Sequence, residues 1–202
     1  RHIEVEGLIY ASSSSVYGGN KKIPFSIEDR VDTPLALYGA TKRANELMAY
    51  SYSHLYDLHT TGLRFFTVYG PWGRPDMAMF IFTKKILASD PIPVFNHGKM
   101  KRDFTYIDDI IAGTRAAIDK NYKCEVFNLG NNKSEKLMDM IALIEDQLGK
   151  KAIIDFQPMQ PGDVKESFAD IVKSQEKLNF IPKTTINVGI PNFINWLKSY
   201  NV

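Results

Sequence analysis

The sequence has 202 residues, 44% of them hydrophobic and 24% charged, and a formal net charge of +2. That composition is ordinary for a globular protein and supplies one substantial domain, or a domain with part of another. The charge is too small to argue for nucleic acid, and no basic run exceeds Lys99-Met100-Lys101-Arg102. The lone cysteine, Cys124, excludes an intrachain disulfide and any multi-cysteine metal site, and it fits a reducing compartment. No apolar stretch approaches the ~20 residues of a membrane span. The first residues also lack the basic-then-apolar pattern of a signal peptide. These features lead us to expect a cytoplasmic protein with no metal and with neither membrane nor nucleic acid as a partner.

In chain order, Leu8-Ile9-Tyr10-Ala11 is a short apolar run leading into Ser12, Ser13, Ser14 and Ser15 and then Val16-Tyr17-Gly18. It reads as a buried strand delivering a hydroxyl-rich loop at its carboxyl edge. A polar loop with Pro24 and Pro34 follows, and from Tyr38 to about Leu55 the spacing of Ala40, Ala44, Leu47 and Met48 predicts a helix. Residues 61–66 read as a second buried strand, ended by Tyr69-Gly70-Pro71-Trp72-Gly73-Arg74-Pro75. Strand, helix and strand together read as one crossover unit of a parallel sheet.

Beyond Pro75 the expected elements are shorter. A helix is expected over 77–87, strands over 92–95 and 104–107, and a helix N-terminus at Asp108-Asp109. Further along are a strand over 126–129, a helix over 135–148, a strand over 152–156 and a turn at Gln160-Pro161-Gly162-Asp163. A final amphipathic helix spans about 188–200. No Gly-rich phosphate fingerprint of the G-x-G-x-x-G kind occurs anywhere in the sequence. The chain therefore reads as entering a Rossmann-like sheet midway.

Tyr38-Gly39-Ala40-Thr41-Lys42 puts a phenol and an ammonium four residues apart, on one helix face. A free phenol, with a pKa of about 10, is a poor base at neutral pH. A neighbouring ammonium and a cationic nicotinamide favour the phenolate. A surface pair on an ordinary helix has the same spacing, and a serine loop also arises simply by satisfying its own backbone.

The motifs taken in register resemble the extended short-chain dehydrogenase/reductase family. They are the serine loop with Val16-Tyr17-Gly18, the Tyr38/Lys42 pair, Leu63-Arg64-Phe65-Phe66 and Tyr69-Gly70-Pro71. Lys101-Arg102-Asp103-Phe104-Thr105-Tyr106-Ile107-Asp108-Asp109, Gln160-Pro161-Gly162-Asp163-Val164 and Ala169-Asp170 continue the series. Within the family, the run from Gly70 to Met77 is most similar to that of UDP-glucuronate 4-epimerases. The resemblance implies an α/β fold: the C-terminal portion of a Rossmann-like parallel sheet (residues 1–75) plus a smaller mixed α/β substrate-binding domain (mainly 76–202, with some segments able to return to the sheet). It implies NAD as cofactor, a UDP-sugar as substrate and a homodimer at full length.

The same resemblance implies the site. Tyr38 would take the proton of the sugar 4-hydroxyl while C4 passes a hydride to NAD⁺, and the 4-keto sugar would turn and recover the hydride on its other face. Ser13 stands at the family's catalytic Ser/Thr position, and Lys42 also at the nicotinamide ribose. Ser12 and Phe65 fall on the cofactor side. Ser14, Ser15, Thr67, Phe95, Arg102, Gln160 and Asp163 fall on the substrate side, with Phe95 toward the uracil and Arg102 on the diphosphate. Gln160 departs from relatives that carry a second arginine there. Arg74 offers a cation for a C6 carboxylate, although a loop arginine paired with Asp76 is the plainer reading.

Sugar 4,6-dehydratases carry an Asp-Glu pair after the catalytic hydroxyl, and decarboxylating relatives carry a Glu at the position of Ser15. Ser14 and Ser15 offer no acid for such steps. This favours plain C4 epimerisation over a dehydratase or decarboxylase. A non-catalytic remnant that binds a nucleotide-sugar or a partner without NAD is the alternative of a different class.

Overall fold

The computed structural model describes residues 4–200. In chain order it forms β1 (Leu8–Ser13), α1 (Leu37–Tyr56), β2 (Thr60–Phe65), β3 (Thr67–Tyr69), α2 (Ala78–Ala88) and β4 (Pro91–Val94). There follow β5 (Lys101–Arg102), β6 (Phe104–Tyr106), α3 (Ile107–Lys120), β7 (Cys124–Leu129), β8 (Glu135–Lys136) and α4 (Leu137–Leu148). Then come β9 (Ile153–Phe156), β10 (Glu166–Ser167), α5 (Val172–Leu178) and α6 (Ile186–Ser199), with 3-10 turns at Ser14–Tyr17 and Phe95–Gly98.

The expected crossover unit is present. β1 and β2 run parallel, with Leu8 opposite Thr60 and Ser13 opposite Phe65. β7 adds a third parallel strand on the far side of β2, giving the order β1-β2-β7. The central strand β2 is buried along nearly its whole length, as a parallel strand covered on both faces must be. α1 lies on this sheet by a narrow stripe, Gly39, Glu46, Ala49 and Ser53, at helical spacing. Gly39 is required where the helix meets the serine loop, because a Cβ there would stand 2.5 Å from the Ser15 carbonyl oxygen.

The opposite face of the sheet carries one apolar core, in which Leu63, Phe127 and Leu129 meet Ile110 of α3 and Leu178 of α5. A second core lies among α2, α4 and α6, where Ile86, Met140, Ile144, Ile190 and Phe193 enclose Ile92 and Val94 of β4. Removing a fully buried aromatic such as Phe127 would cost about 3–5 kcal/mol. β4 pairs with β9 and β3 with β6, both in parallel, while β10-β5-β8 makes a small mixed sheet beside the cleft described below.

Several boundaries differ from the sequence expectation for local reasons. The helix expected over 135–148 begins only at Leu137. Glu135 and Lys136 instead form β8, antiparallel to β5, with Glu135 opposite Arg102. Ile107 opens α3 rather than closing β6, and Phe95 leaves β4 for a 3-10 turn. α6 starts at Ile186, two residues before the expected position, and accommodates Pro191 inside. The seven-residue α5 was not expected from the sequence, since so short a helix shows little periodicity.

Candidate active site

Ser13 ends β1, Phe65 ends β2 and Leu129 ends β7, so the carboxyl ends of the parallel strands open on one side. Ligands of open α/β sheets lie at that edge. A cleft of about 420 Å³ lies there, lined by Ser13, Ser14 and Ser15 from the serine loop, Tyr38 from α1, Phe66 and Thr67, and Arg74. Arg102 of β5 and Asp163 of the turn before β10 line it as well. The structure thus brings together Ser13, Ser14, Ser15, Tyr38, Thr67, Arg74, Arg102 and Asp163. Ser12, Lys42, Phe65, Phe95 and Gln160 are not among the lining residues.

Each of these five has its own place. Ser12 is buried and donates to Glu46 Oε1 at 2.6 Å. Lys42 donates to the Ala11 carbonyl oxygen at 3.0 Å, and its ammonium stands 5.7 Å from the centroid of the Tyr38 ring. Phe65 packs against the core under the sheet, and its neighbour Phe66 reaches the cleft. Phe95 is half-buried at the end of β4, and Gln160 is exposed at the start of the turn in which Asp163 N–H donates to its carbonyl at 3.3 Å.

The serine loop is held by its own hydroxyls. Ser13 Oγ accepts from the Ser15 N–H at 3.2 Å and donates to Ser15 Oγ at 3.2 Å, capping the 3-10 turn. Gly18 follows with φ of 57°, and a Cβ there would come within 2.1 Å of the Thr33 carbonyl oxygen. Only glycine allows the 33–36 segment to cross so closely, and Leu35 and Ala36 of that segment roof the cleft. Arg102 donates to Asp163 Oδ1 at 2.6 Å and to the Lys101 carbonyl at 2.8 Å. Burial lowers its pKa, with Asp163 acting in the opposite direction. Arg74 and Asp76 form a two-point ion pair at the exposed rim.

The matching family model, described as NAD dependent epimerase/dehydratase family, covers residues 1–130. The chain belongs to this family. It is 49% identical to protein CapI of Staphylococcus aureus over 99% of the chain and 65% of CapI. It is 47% identical to UDP-glucuronate 4-epimerase 4 of Arabidopsis thaliana over 96% of the chain and 48% of that protein. The UDP-glucuronic acid 4-epimerase of Bacillus cereus, solved with UDP-glucuronic acid and NAD, superposes with a TM-score of 0.92 at 38% identity. That match covers 98% of the chain and 63% of the Bacillus protein. The chain therefore spans about half to two thirds of the length of these relatives.

Two buried features of this family member escaped the sequence reading. One is an ionic network behind the serine loop, in which Arg64 grips Glu46 with two hydrogen bonds of 2.8 and 2.9 Å. Burial works to raise the Glu46 carboxyl, but Arg64, Ser12 and Arg43 outweigh it and hold it below its usual range. The signal was Arg64 itself, a charge inside an apolar strand, which demands a partner. The other is Asp103, fully buried, which accepts from the backbone N–H groups of Asn131, Asn132 and Ala169 and from the Thr105 hydroxyl. It ties β5 and Arg102 to the loop after β7 and to the segment leaving β10.

For NAD, the groups in this chain fit the nicotinamide end: an ammonium at the end of β1 beside a half-exposed tyrosine at the cleft. The sequence contains no Gly-rich turn of the kind that cradles a pyrophosphate.

Proposed function

We propose that the protein carrying this chain epimerises a UDP-sugar at C4, converting UDP-glucuronate to UDP-galacturonate through a 4-keto intermediate. The observation that carries this reading is the make-up of the cleft. Ser13 and Tyr38 share it with Thr67 and Arg102, and among the described residues lining it the only carboxylate is Asp163, which is bound to Arg102. Elimination or decarboxylation calls for a free carboxyl group beside the sugar, in addition to the tyrosine that takes the 4-hydroxyl proton. This cleft offers hydroxyls instead, which supports reversible oxidation at C4 alone.

In this mechanism Ser13 holds the sugar 4-oxygen and Tyr38 takes its proton and later returns it. Lys42 keeps a positive charge beside Tyr38 and the nicotinamide ribose. NAD⁺, when bound, supplies the hydride acceptor and then the hydride. Ser12 and Phe65 complete the cofactor side from behind the strand ends. Arg102, with Asp163 fixing its direction, receives the diphosphate, and Gln160 flanks the same turn. Phe95 borders the uracil side. Ser14, Ser15 and Thr67 surround the sugar, with Arg74 at the rim. Residues 1–75 together with β7 belong to the cofactor domain, and most of 76–202 belongs to the substrate domain.

The likeness to UDP-glucuronate 4-epimerases in sequence and in fold supports the uronate as substrate. The test is product analysis by nuclear magnetic resonance after the full-length protein meets UDP-glucuronate, UDP-glucose and UDP-N-acetylglucosamine separately. UDP-galacturonate formed faster than the other two epimers supports the reading. A dehydrated or decarboxylated product, or no product from any of the three, overturns it.

A further inference from the structure

Resting on the epimerase reading above, we propose that the buried Glu46–Arg64 pair is a positioning element that sets the distance between the serine loop and Tyr38. Tyr38, Lys42 and Glu46 fall at successive four-residue steps of α1, so they share one side of the helix. Glu46 is the inner end of that row and is 4% exposed; Arg64 on β2 is 3% exposed. From Glu46 the network reaches the serine loop twice. Ser12, the neighbour of Ser13, donates to Glu46 Oε1 at 2.6 Å. Tyr17, which closes the 3-10 turn, accepts from Arg64 at 3.0 Å and donates to Asn128 Oδ1 at 2.7 Å. Asn128 in turn donates to the Phe25 and Asp170 carbonyls at 2.8 and 3.1 Å, and Phe25 lines the cleft.

A buried ion pair is a weak way to stabilise a fold, because apolar replacements of similar size are often neutral or better. Its two-point guanidinium–carboxylate geometry is directional, however, and fixes both rotation and spacing. Here the two points join the helix that carries Tyr38 to the strand pair that carries Ser13. The Lys42 bond to the Ala11 carbonyl spans the same two elements one helical turn away. A slip of α1 against β1 would change the Tyr38–Ser13 spacing, while Arg102 and Asp163 would be unmoved.

The test uses the full-length protein with its NAD and two variants. Arg64→Lys keeps the charge and loses the two-point grip. Glu46→Gln combined with Arg64→Met removes both charges and keeps an acceptor for Ser12. A misplacement on the order of 1 Å can cost about 100-fold in rate, so kcat should fall about 10- to 100-fold in both variants. KM for the UDP-sugar should change less than about threefold, since the groups that bind the diphosphate are elsewhere. The thermal midpoint of the double variant should stay near wild type. A double variant with wild-type kcat, or a rate loss fully recovered by cooling, overturns the proposal and leaves the pair purely structural. Absence of C4 turnover in the wild type instead overturns the epimerase reading. Crystal structures then decide the positioning claim independently: a changed Tyr38–Ser13 spacing in the double variant supports it, and an unchanged spacing overturns it.

Discussion

The Asp76 carboxylate binds side-on to one edge of the Arg74 guanidinium: Nε donates to Oδ1 at 3.0 Å and a terminal nitrogen donates to Oδ2. The cation that the sequence offers to a sugar carboxylate is therefore already shared. Both side chains are largely exposed at the rim of the cleft, so solvent and salt weaken the pair. Asp76→Asn should release Arg74 and raise kcat/KM for UDP-glucuronate relative to UDP-glucose by about two- to fivefold, the range open to an exposed ion pair. Arg74→Ala should shift the ratio the other way. Steady-state kinetics on both sugars check this, and equal changes on the two sugars would leave Arg74 without a part in specificity.

Tyr38 is half exposed, and its ring is no part of either apolar core. Tyr38→Phe should therefore leave folding nearly unchanged while slowing turnover by a factor on the order of 10² or more. Retained NAD with lost turnover is the expected result. Near-normal turnover would remove Tyr38 from the chemistry.

Burial pushes Asp103 up to about 6, against the pull of the hydrogen bonds from Ala169, Asn131, Thr105 and Asn132. An unfolded aspartate titrates near about 3.9, so between these values the folded chain holds a proton that the unfolded chain releases. The stability from this group is complete below about pH 4 and is lost as pH rises through about 6. Asp103→Asn cannot titrate. The stability of wild type relative to this variant should decline by roughly 2–3 kcal/mol between pH 4 and pH 7. Denaturant titrations of both proteins across that range measure it, and a flat difference would mean that Asp103 is ionised throughout.

β1 is the edge of its three-stranded sheet among the described residues, and α1 leaves Leu37, Leu47, Tyr50 and Leu55 more than half exposed. Apolar surface of that kind normally has a partner. The isolated 202-residue chain should self-associate and show no measurable NAD binding, because its sequence holds no Gly-rich turn to cradle the cofactor's pyrophosphate. Light scattering and calorimetric titration test the two parts, and a monomer with micromolar NAD affinity would contradict both.

The crossover unit was legible because an apolar run, a helical period and a second apolar run occur in order, and tertiary packing obeys all three. The cleft was legible through the serine loop, Tyr38, Thr67 and Arg102, which are short-range motifs. What escaped was long-range pairing. Glu46 has the look of a solvated helix residue until Arg64, 18 positions later, is seen to meet it. Asp103 sits in a motif between Arg102 and Phe104, but its backbone donors lie 28 to 66 residues away. The 135–148 helix began late because Glu135 and Lys136 had a strand to pair with, which no local period records.

The central claim is that the hydrogen at C4 leaves the sugar as hydride and returns to the same carbon. It is tested most directly with the full-length protein and UDP-glucuronate carrying deuterium at C4. Nuclear magnetic resonance of the product should show UDP-galacturonate with the deuterium retained at C4. A product that has lost the label to solvent, or a labelled substrate that is never converted, would contradict the account.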